Sequence, residues 1–594
     1  MNFVAAALFA VCSSTLLALA LAFFRGGLSP MVASVSLSFG ALVAAATLWR
    51  GRNDTSRSLP PRGWEWGAVI AFALVCARMF LWLVFREGDD IKVISPNNLG
   101  DLSLHITYIN YLASGVSFWP DNPIFSSGRL TYPVGVDLFN SLLSLLGVDL
   151  LRGLIWTGLA GCAMTGVALW RWGRGWALFG FLANGGLFGF AVFQTLQIAD
   201  FQSEFAWKSF ALALLATQRG LLFALPAGLL LLCSWRTRYF AQEAGGWKLS
   251  RMGELLLYAA MPLFHLHTFL FLSLLLASWF VMRESARRAL AGFVAAAFAP
   301  ASVLVLLVTG MMKGASVIGF KAGWMWDDDA FLKWCGAHFA LPPDMAAAIF
   351  FIPMNFGLLP VFVAALCEVI VRRRDDDAAA FVIPALFAFV LCCFVKFAPW
   401  EWDNTKIMVW SYVVTLPYLW SHLVSRWPWV WRALTCVALF FSGFVSTLGG
   451  LDVTHTGYSI ASRAELAGVA AAVRGIPVSS AFVGTPTYNH PLLLCGRKMA
   501  LGYTGHVSSH GLPWREPAAK VDALMRGADD WRQLAEELGV RYLFWGRYEQ
   551  EEYVGSREPW RDVCPVVALG DWGEIFDLQR SRPAESAPAA VTPR

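Results

Sequence analysis

The run GELLLYAAMPLFHLHTFLFLSLLLASWFVM, residues 253–282, decides how this chain is organised. It is apolar along its length, with Arg251 before it and Arg283, Arg287 and Arg288 after it. An excess of Lys and Arg in short loops marks the cytoplasmic side of a membrane, so both ends of the run belong on that side. A single crossing would leave one cluster outside. The stretch Met261-Pro262-Leu263-Phe264-His265-Leu266-His267 supplies a break, because Pro262 lacks an N–H donor and clashes with the preceding turn. The run therefore reads as a re-entrant pair of half-helices with His265 and His267 near the tip. Non-helical backbone at membrane depth is tolerated only where it is buried in protein or lines a wet cavity, so this reading implies a cavity.

Outward from this segment the same texture recurs. The 594 residues are 57% hydrophobic and 15% charged, far below the share of about 25% charged in soluble domains. Apolar runs long enough for a hydrocarbon core of about 30 Å continue as far as Leu448. The expected spans are 3–24, 30–49, 63–85, 148–170, 175–192, 219–235, 289–311, 347–371, 379–397, 405–423 and 429–448, about eleven in all. The fold class is an α-helical polytopic membrane protein followed by a small α/β domain. The 28 Trp and 45 Phe suit interfacial belts and a large interior.

The connections alternate. One set is short and basic: Arg50, Arg52, Arg57 and Arg62; Arg171 and Arg174; Arg236 and Arg238; Arg372 to Arg374; Arg426 and Arg432. The other set is longer and rich in Trp, Tyr, Asn and Pro. This places the N-terminus in the cytoplasm and everything after Gly450 outside, in a multi-pass plasma (inner) membrane protein. The first run, Phe3 to Phe24, has neither a charged n-region nor a small-residue cleavage site, and reads as a retained helix. Residues 1–450 form the membrane domain, and 451–580 read as a soluble extracytoplasmic α/β domain. There, helix-like patterns at 461–474 and 529–538 alternate with apolar runs at 480–483 and 542–545. The Pro/Ala-rich tail, 581–594, reads as disordered. Cys495 and Cys564 in the soluble region are either a disulfide or two free thiols.

The outer connections hold the unusual residues. The first contains Asn97-Asn98-Leu99-Gly100-Asp101-Leu102-Ser103-Leu104-His105, and from Asp101 to Ala113 its apolar residues recur as on an amphipathic helix lying on a membrane. Asp101 either caps that helix or does chemistry, and the two roles are compatible. His105 shares its face one turn on. The segment 134–147 that follows is apolar and reads as half-inserted. The connection 193–218 carries Glu204 and Lys208, with Arg219 at the mouth of the next span. The connection 312–346 holds Lys313, Lys321, Trp324, Trp326 and Asp327-Asp328-Asp329. The last reads Pro399-Trp400-Glu401-Trp402-Asp403-Asn404-Thr405-Lys406 and opens straight into a span. A Lys there is costly without a partner or ligand, unless it snorkels to the interface. On this topology these four connections and the hairpin tip with His265 and His267 all reach one face. Carboxylates to take a proton, with Lys, Arg and His for anions, suit anionic-group chemistry at a bilayer surface.

Gly100-Asp101-Leu102-Ser103-Leu104-His105 and Tyr132-Pro133-Val134-Gly135, set in this architecture, resemble the GT-C superfamily of membrane glycosyltransferases, which use polyprenyl-phosphate sugars. The resemblance covers about 1–450 at the level of architecture. It implies that Asp101 is the loop aspartate acting as general base or orienting group, with His105 beside it. It implies that Lys406, Arg219, His265, His267 and Lys208 surround the donor phosphate. Asp403, Asn404, Glu204, Tyr132 and Trp324 complete the expected substrate-binding set, with the indole of Trp324 available to stack on a sugar. The donor would be a polyprenyl-phosphate sugar and the acceptor a cell-envelope glycan, lipid or protein. The family's Asp-x-Asp pair is missing near Asp101, and Asp327 and Asp329 form that spacing only in a later loop. A divalent cation (Mg or Mn) is therefore an open possibility rather than an implied ligand.

Two other classes remain in view. A lipid-linked glycan transporter or flippase predicts paired repeats and ionisable groups at mid-membrane depth, which the sequence lacks. A non-catalytic envelope assembly protein explains the outer domain but not the clustered Asp, His and Lys. Within glycan chemistry, a ligase moving a whole lipid-linked glycan would lean on Arg rather than on a carboxylate. Nothing in the chain suggests a nucleic-acid partner.

Overall fold

The computed structural model describes residues 1–51, 60–95, 98–240, 247–311, 318–451 and 456–581. Arg52, Arg57, Asn97, Lys313 and the tail from 582 lie outside the described residues.

The bundle begins with a helical hairpin, Asn2–Arg25 and Pro30–Arg50, started at its second arm by the Ser29 cap and closed at its base by the Asn2 amide, which donates to Gly51 O at 3.0 Å. The helix Glu65–Leu81 packs antiparallel to the first part of Leu150–Leu182. Three glycines allow the approach: a Cβ on Gly158, Gly166 or Gly175 would press on Phe80, Phe72 and Glu65 in turn.

Leu150–Leu182 is one helix by hydrogen bonding but two by direction. Gly173 and Arg174 leave helical backbone, and Arg174 takes a positive φ of 54°. The ring of Pro417 sits where a Gly173 Cβ would be, yet Gly180 O accepts from the Tyr412 hydroxyl at 2.9 Å. The second arm thus climbs back along the helix Thr405–Tyr418. The expected separate spans 148–170 and 175–192 correspond to these two arms, except that the second ends at Leu182 and gives way to a short 3-10 turn at Phe188–Ala191.

The 253–282 run is the hairpin its sequence predicts. Arg251–Phe264 and Leu266–Met282 are separated by a single extended residue, His265. Tyr258 hydrogen-bonds Ser273 across the hairpin at 2.8 Å, and its ring lies 5.1 Å from that of Phe269. The tip reaches the start of Leu221–Trp235, where Phe264 stacks on Phe223 at 3.8 Å.

Ion pairs gather at the opposite end: Arg174–Glu65, Arg238–Glu254, Arg283–Asp377 and His422–Asp375. This is the end that the short basic connections share.

Among the described residues, seven helices are long and apolar enough to cross a membrane, or eight if Asp329–His338 and Pro343–Phe356, bent by 101°, count as one. The figure of eleven expected spans is not reached on that measure, for a physical reason. Several expected spans are short or broken helices: Glu65–Leu81, Asp376–Cys392, and the 347–371 run, which Gly357 (φ 58°) splits into Pro343–Phe356 and Leu359–Arg373.

Above the other end lies a five-stranded mixed sheet. Ala481–Val483 pairs in parallel with Lys498–Met499 and with Tyr542–Gly546; Gly573–Asp577 and then Val566–Gly570 add on antiparallel. Helices Arg463–Val473, Arg515–Met525 and Trp531–Glu537 accompany it. Cys495 and Cys564 are free thiols, so the disulfide alternative is set aside. This region is stitched to the first outer connection: Asp90–Val93 pairs with Tyr458–Ser462, Met499 N donates to Pro123 O, and Lys498 pairs with Asp121 at 2.7 Å.

That seam corrects one expectation. The helix Asn98–Ala113 does not lie on a membrane surface with a wet face. Its residues from Leu102 to Ile109 are all buried, because the helix Gly135–Leu145 covers one side and the C-terminal region another. Ser141 donates to Ile109 O at 2.9 Å, and the Asn110 amide donates to Leu494 O at 2.7 Å.

Candidate active site

Asp101 stands in the first turn of Asn98–Ala113, where exposed N–H groups favour a carboxylate. It is only half-buried, and the Gln218 amide reaches it at 3.5 Å with Thr217 beside it. Burial pushes its carboxyl above the ordinary carboxylate range, against the opposing pull of His105 and Lys406; Asp403 adds to the rise. Residues separated by some three hundred positions in sequence thus share one field.

His105, one turn on, is engaged through Nδ1. Its Nδ1 lies 3.0 and 2.9 Å from the two carboxylate oxygens of Asp137, and both side chains are 2% exposed. Asp137 comes from Gly135–Leu145, the segment expected only to be half-inserted. Its part in the site was missed, although a lone carboxylate in an apolar run was the available signal.

Lys406 pairs with Asp403 at 3.0 Å, one helical turn before it, at the mouth of Thr405–Tyr418. Both are half-buried, so this Lys has a partner and faces the pocket rather than snorkelling outward. From the hairpin tip, His265 uses Nδ1 to cap its own helix, accepting from Thr268 N at 3.1 Å. Its buried Nε2 has no hydrogen-bond partner among the described residues. His267 lies 5.7 Å away, ring to ring, and both imidazoles feel the charge of Lys406.

The C-terminal region supplies the roof. A Cβ on Gly100 would lie 3.2 Å from His506 Nε2, and one on Gly511 2.9 Å from Pro399. The turn of helix Thr504–Ser509 is therefore wedged between the Asp101 helix and the connection that carries Lys406. His510 sits 5.0 Å from Tyr132, which in turn lies 6.0 Å from His105. His510 Nδ1 is buried without a hydrogen-bond partner among the described residues. Desolvation lowers His506 to about 3 and His510 to about 4, so both imidazoles are neutral near pH 7. Two other polar residues of this region serve the fold: His490 pairs with fully buried Glu549 at 3.0 Å, and the Asn489 amide donates to Ile460 O.

Several expected ligands are differently employed. The Arg219 guanidinium is buried and bonds Leu154 O and Thr157 Oγ1, within the field of Asp137. The Asn404 amide is consumed by Phe397 N, Cys392 O and Val395 O, which shapes the connection before Lys406. Trp324 is 2% exposed, packed against Phe351 and Phe356 with its N–H on Glu401 O, so it offers no face to a sugar. Lys208 lies over the Trp402 ring at 5.6 Å, within reach of Asp200, Asp328, Glu204 and Asp101; desolvation lowers its pKa. Glu204 is exposed beside it.

Part of the chain is similar to solved structures. It is similar to the Archaeoglobus fulgidus oligosaccharyltransferase in its apo form, with a TM-score of 0.45, 10% identity, and coverage of 81% of this chain and 69% of that one. The same enzyme, AglB, in complex with an inhibitory peptide and a dolichol-phosphate gives 0.42, 10%, 81% and 69%. Tethered to an acceptor peptide it gives 0.45, 11%, 81% and 69%. No family model and no curated protein matches the sequence. At these identities and TM-scores the likeness assigns neither a residue role nor a substrate to this chain.

No group of three or more His, Cys, Asp or Glu side chains is drawn together for a metal among the described residues. Around Asp101 the carboxylates are already engaged, Asp137 by His105 and Asp403 by Lys406. Asp327 pairs with Lys321, and Asp328 caps its own helix. A divalent cation at Asp101 would have to displace Lys406 from Asp403, so the residues as arranged do not fit one.

Proposed function

We propose that the chain is a membrane glycosyltransferase that moves a sugar from a polyprenyl-phosphate donor to an extracytoplasmic acceptor. The observation that carries this reading is the meeting of Asp101, Lys406 and the His265–His267 tip in one field at the end of the bundle, under a roof from the C-terminal region. The reading agrees with the GT-C pattern around Asp101.

Asp101, its basicity raised by burial, takes the proton of an acceptor hydroxyl as that oxygen attacks the anomeric carbon. The bond from that carbon to the phosphate oxygen breaks on the opposite face, so the configuration inverts. The departing polyprenyl phosphate gains negative charge, which Lys406 meets as a point charge and the free Nε2 of His265 as a neutral donor. A positioned base accounts for about 10²- to 10⁴-fold of the rate, and fixed charges at the leaving group must supply much of the rest. A long isoprenoid tail cannot leave the bilayer, which explains why such chemistry sits at the mouth of a helical bundle. The acceptor belongs to the cell envelope: a glycan, a lipid or a protein.

The test uses the purified chain in lipid nanodiscs with polyprenyl-phosphate sugars. Asp101→Asn should abolish transfer while polyprenyl phosphate alone still stabilises the protein thermally. Wild-type turnover in that variant would remove Asp101 from the chemistry.

A further inference from the structure

A second concave site lies in the C-terminal region, and none of its lining residues belongs to the Asp101 pocket. It is an open cleft of about 760 Å³ between the start of helix Arg463–Val473 and the hairpin of strands Val566–Gly570 and Gly573–Asp577. Trp545 and Trp572 form its aromatic part. Trp572 is fixed in place: its ring stacks on Phe544 at 5.4 Å and lies where a Cβ on Gly468 or Gly570 would be, within 2.5 Å. The polar part is Glu465, Arg547, Gln550 and Asp571. Arg547 is held over the Tyr548 ring at 4.8 Å and lies within the field of Glu465. No ion pair joins the two, so the space between carboxylate and guanidinium is left for a third group.

The chemistry selects a ligand class. A volume of this size takes a small organic ligand of several rings. The lining is too polar and too open for a lipid chain. Its charges are of both signs, with Glu465, Asp571 and Glu574 against Arg547 and Arg561, so no net field favours a phosphate or a polyanion. An indole beside planar carboxylate, amide and guanidinium groups matches a molecule that has apolar C–H faces and a rim of paired hydroxyls. We propose that this cleft is a binding site for a neutral oligosaccharide, separate from the site of transfer. It does not depend on Asp101 being catalytic.

The experiment measures binding of neutral hexasaccharides (glucan, mannan, galactan and arabinan series) to the full chain in nanodiscs, by saturation-transfer NMR and tryptophan fluorescence. At least one series should bind, and Gln550→Ala and Arg547→Ala, both at exposed positions, should each weaken it about tenfold. Trp572→Ala should abolish it, with thermal unfolding as the check on folding, and Asp101→Asn should leave it unchanged. Absence of binding in all four series, indifference to both surface substitutions, or loss of binding in Asp101→Asn would overturn the proposal. Binding without any sugar transfer would leave it standing while the transferase reading fell.

Discussion

His105 and Asp137 face each other in a buried, two-oxygen contact, at 3.0 and 2.9 Å, that locks the Asp101 helix onto the helix Gly135–Leu145. With Nδ1 held by Asp137, the edge of His105 that remains is Nε2. The orientation of the Asp101 helix is therefore fixed from behind, by a residue that does not touch the pocket centre.

Asp137→Ala should destabilise the protein by about 1–3 kcal/mol, because a buried imidazole loses its partner. Transfer should fall as His105 turns. Asp137→Asn keeps an acceptor oxygen and should retain more of both. Thermal unfolding and turnover, measured side by side, test the pair.

The raised pKa of Asp101 has opposite consequences for activity and for stability. As a base it works only when ionised, so turnover should rise with pH through its folded-state pKa, above the ordinary carboxylate range. Stability runs the other way. The folded state binds the proton more tightly than the unfolded chain, so this contribution is complete below the unfolded pKa and is lost as pH rises through the folded one. The pH profile of wild-type turnover checks the first dependence, and the second should disappear from the pH profile of unfolding in Asp101→Asn.

Lys406→Ala removes the cation beside Asp101 and leaves Asp403 unpaired. A charge-assisted contact is worth about 1.5–3 kcal/mol, so affinity for polyprenyl phosphate should fall about 10- to 100-fold. Lys406→Arg should restore much of it. Titration with polyprenyl phosphate alone measures this without catalysis.

Gly220 is a packing position for the hairpin tip. A Cβ there would stand 2.2 Å from Phe264 O, which is backbone and cannot swing aside. Gly220→Ala should cost about 1–3 kcal/mol through forced backbone shifts. Because His265 follows Phe264 directly, donor affinity should fall along with stability. A variant that keeps both would show that the tip is not held there.

His510 is neutral near pH 7, lowered to about 4 by burial, so it is no counter-ion for phosphate. His510→Ala should reduce transfer to an acceptor while leaving polyprenyl phosphate binding unchanged. Separate donor and acceptor titrations check this split.

The hairpin at 253–282 was legible because two clusters of like charge and one proline leave few ways to thread it. The same logic separated the arms of Leu150–Leu182, since Arg171 and Arg174 marked the turn. Asp101, Lys406 and His265 could be gathered because each is polar in an apolar setting. Asn404 and Trp324 were misjudged for the converse reason. An amide or an indole in a loop looks free until its hydrogen bonds are known, and here they go to backbone carbonyls and an N–H. For Asn489, His490, His506 and His510 the sequence left two roles open, touching an acceptor or satisfying a fold, because only the docking of a distant sheet on the first outer connection brings His506 and His510 to the site.

That docking sets an order of events. The Asp101 helix is made early, but the strand that seals its connection, Tyr458–Ser462, and the turn that roofs it come only after the last membrane helix, Trp429–Gly450. During synthesis the pocket stays uncovered until nearly the whole polypeptide has been inserted. A chain truncated after Trp429–Gly450 would lack both Tyr458–Ser462 and the turn that carries His506, so nothing would cover its pocket from that side.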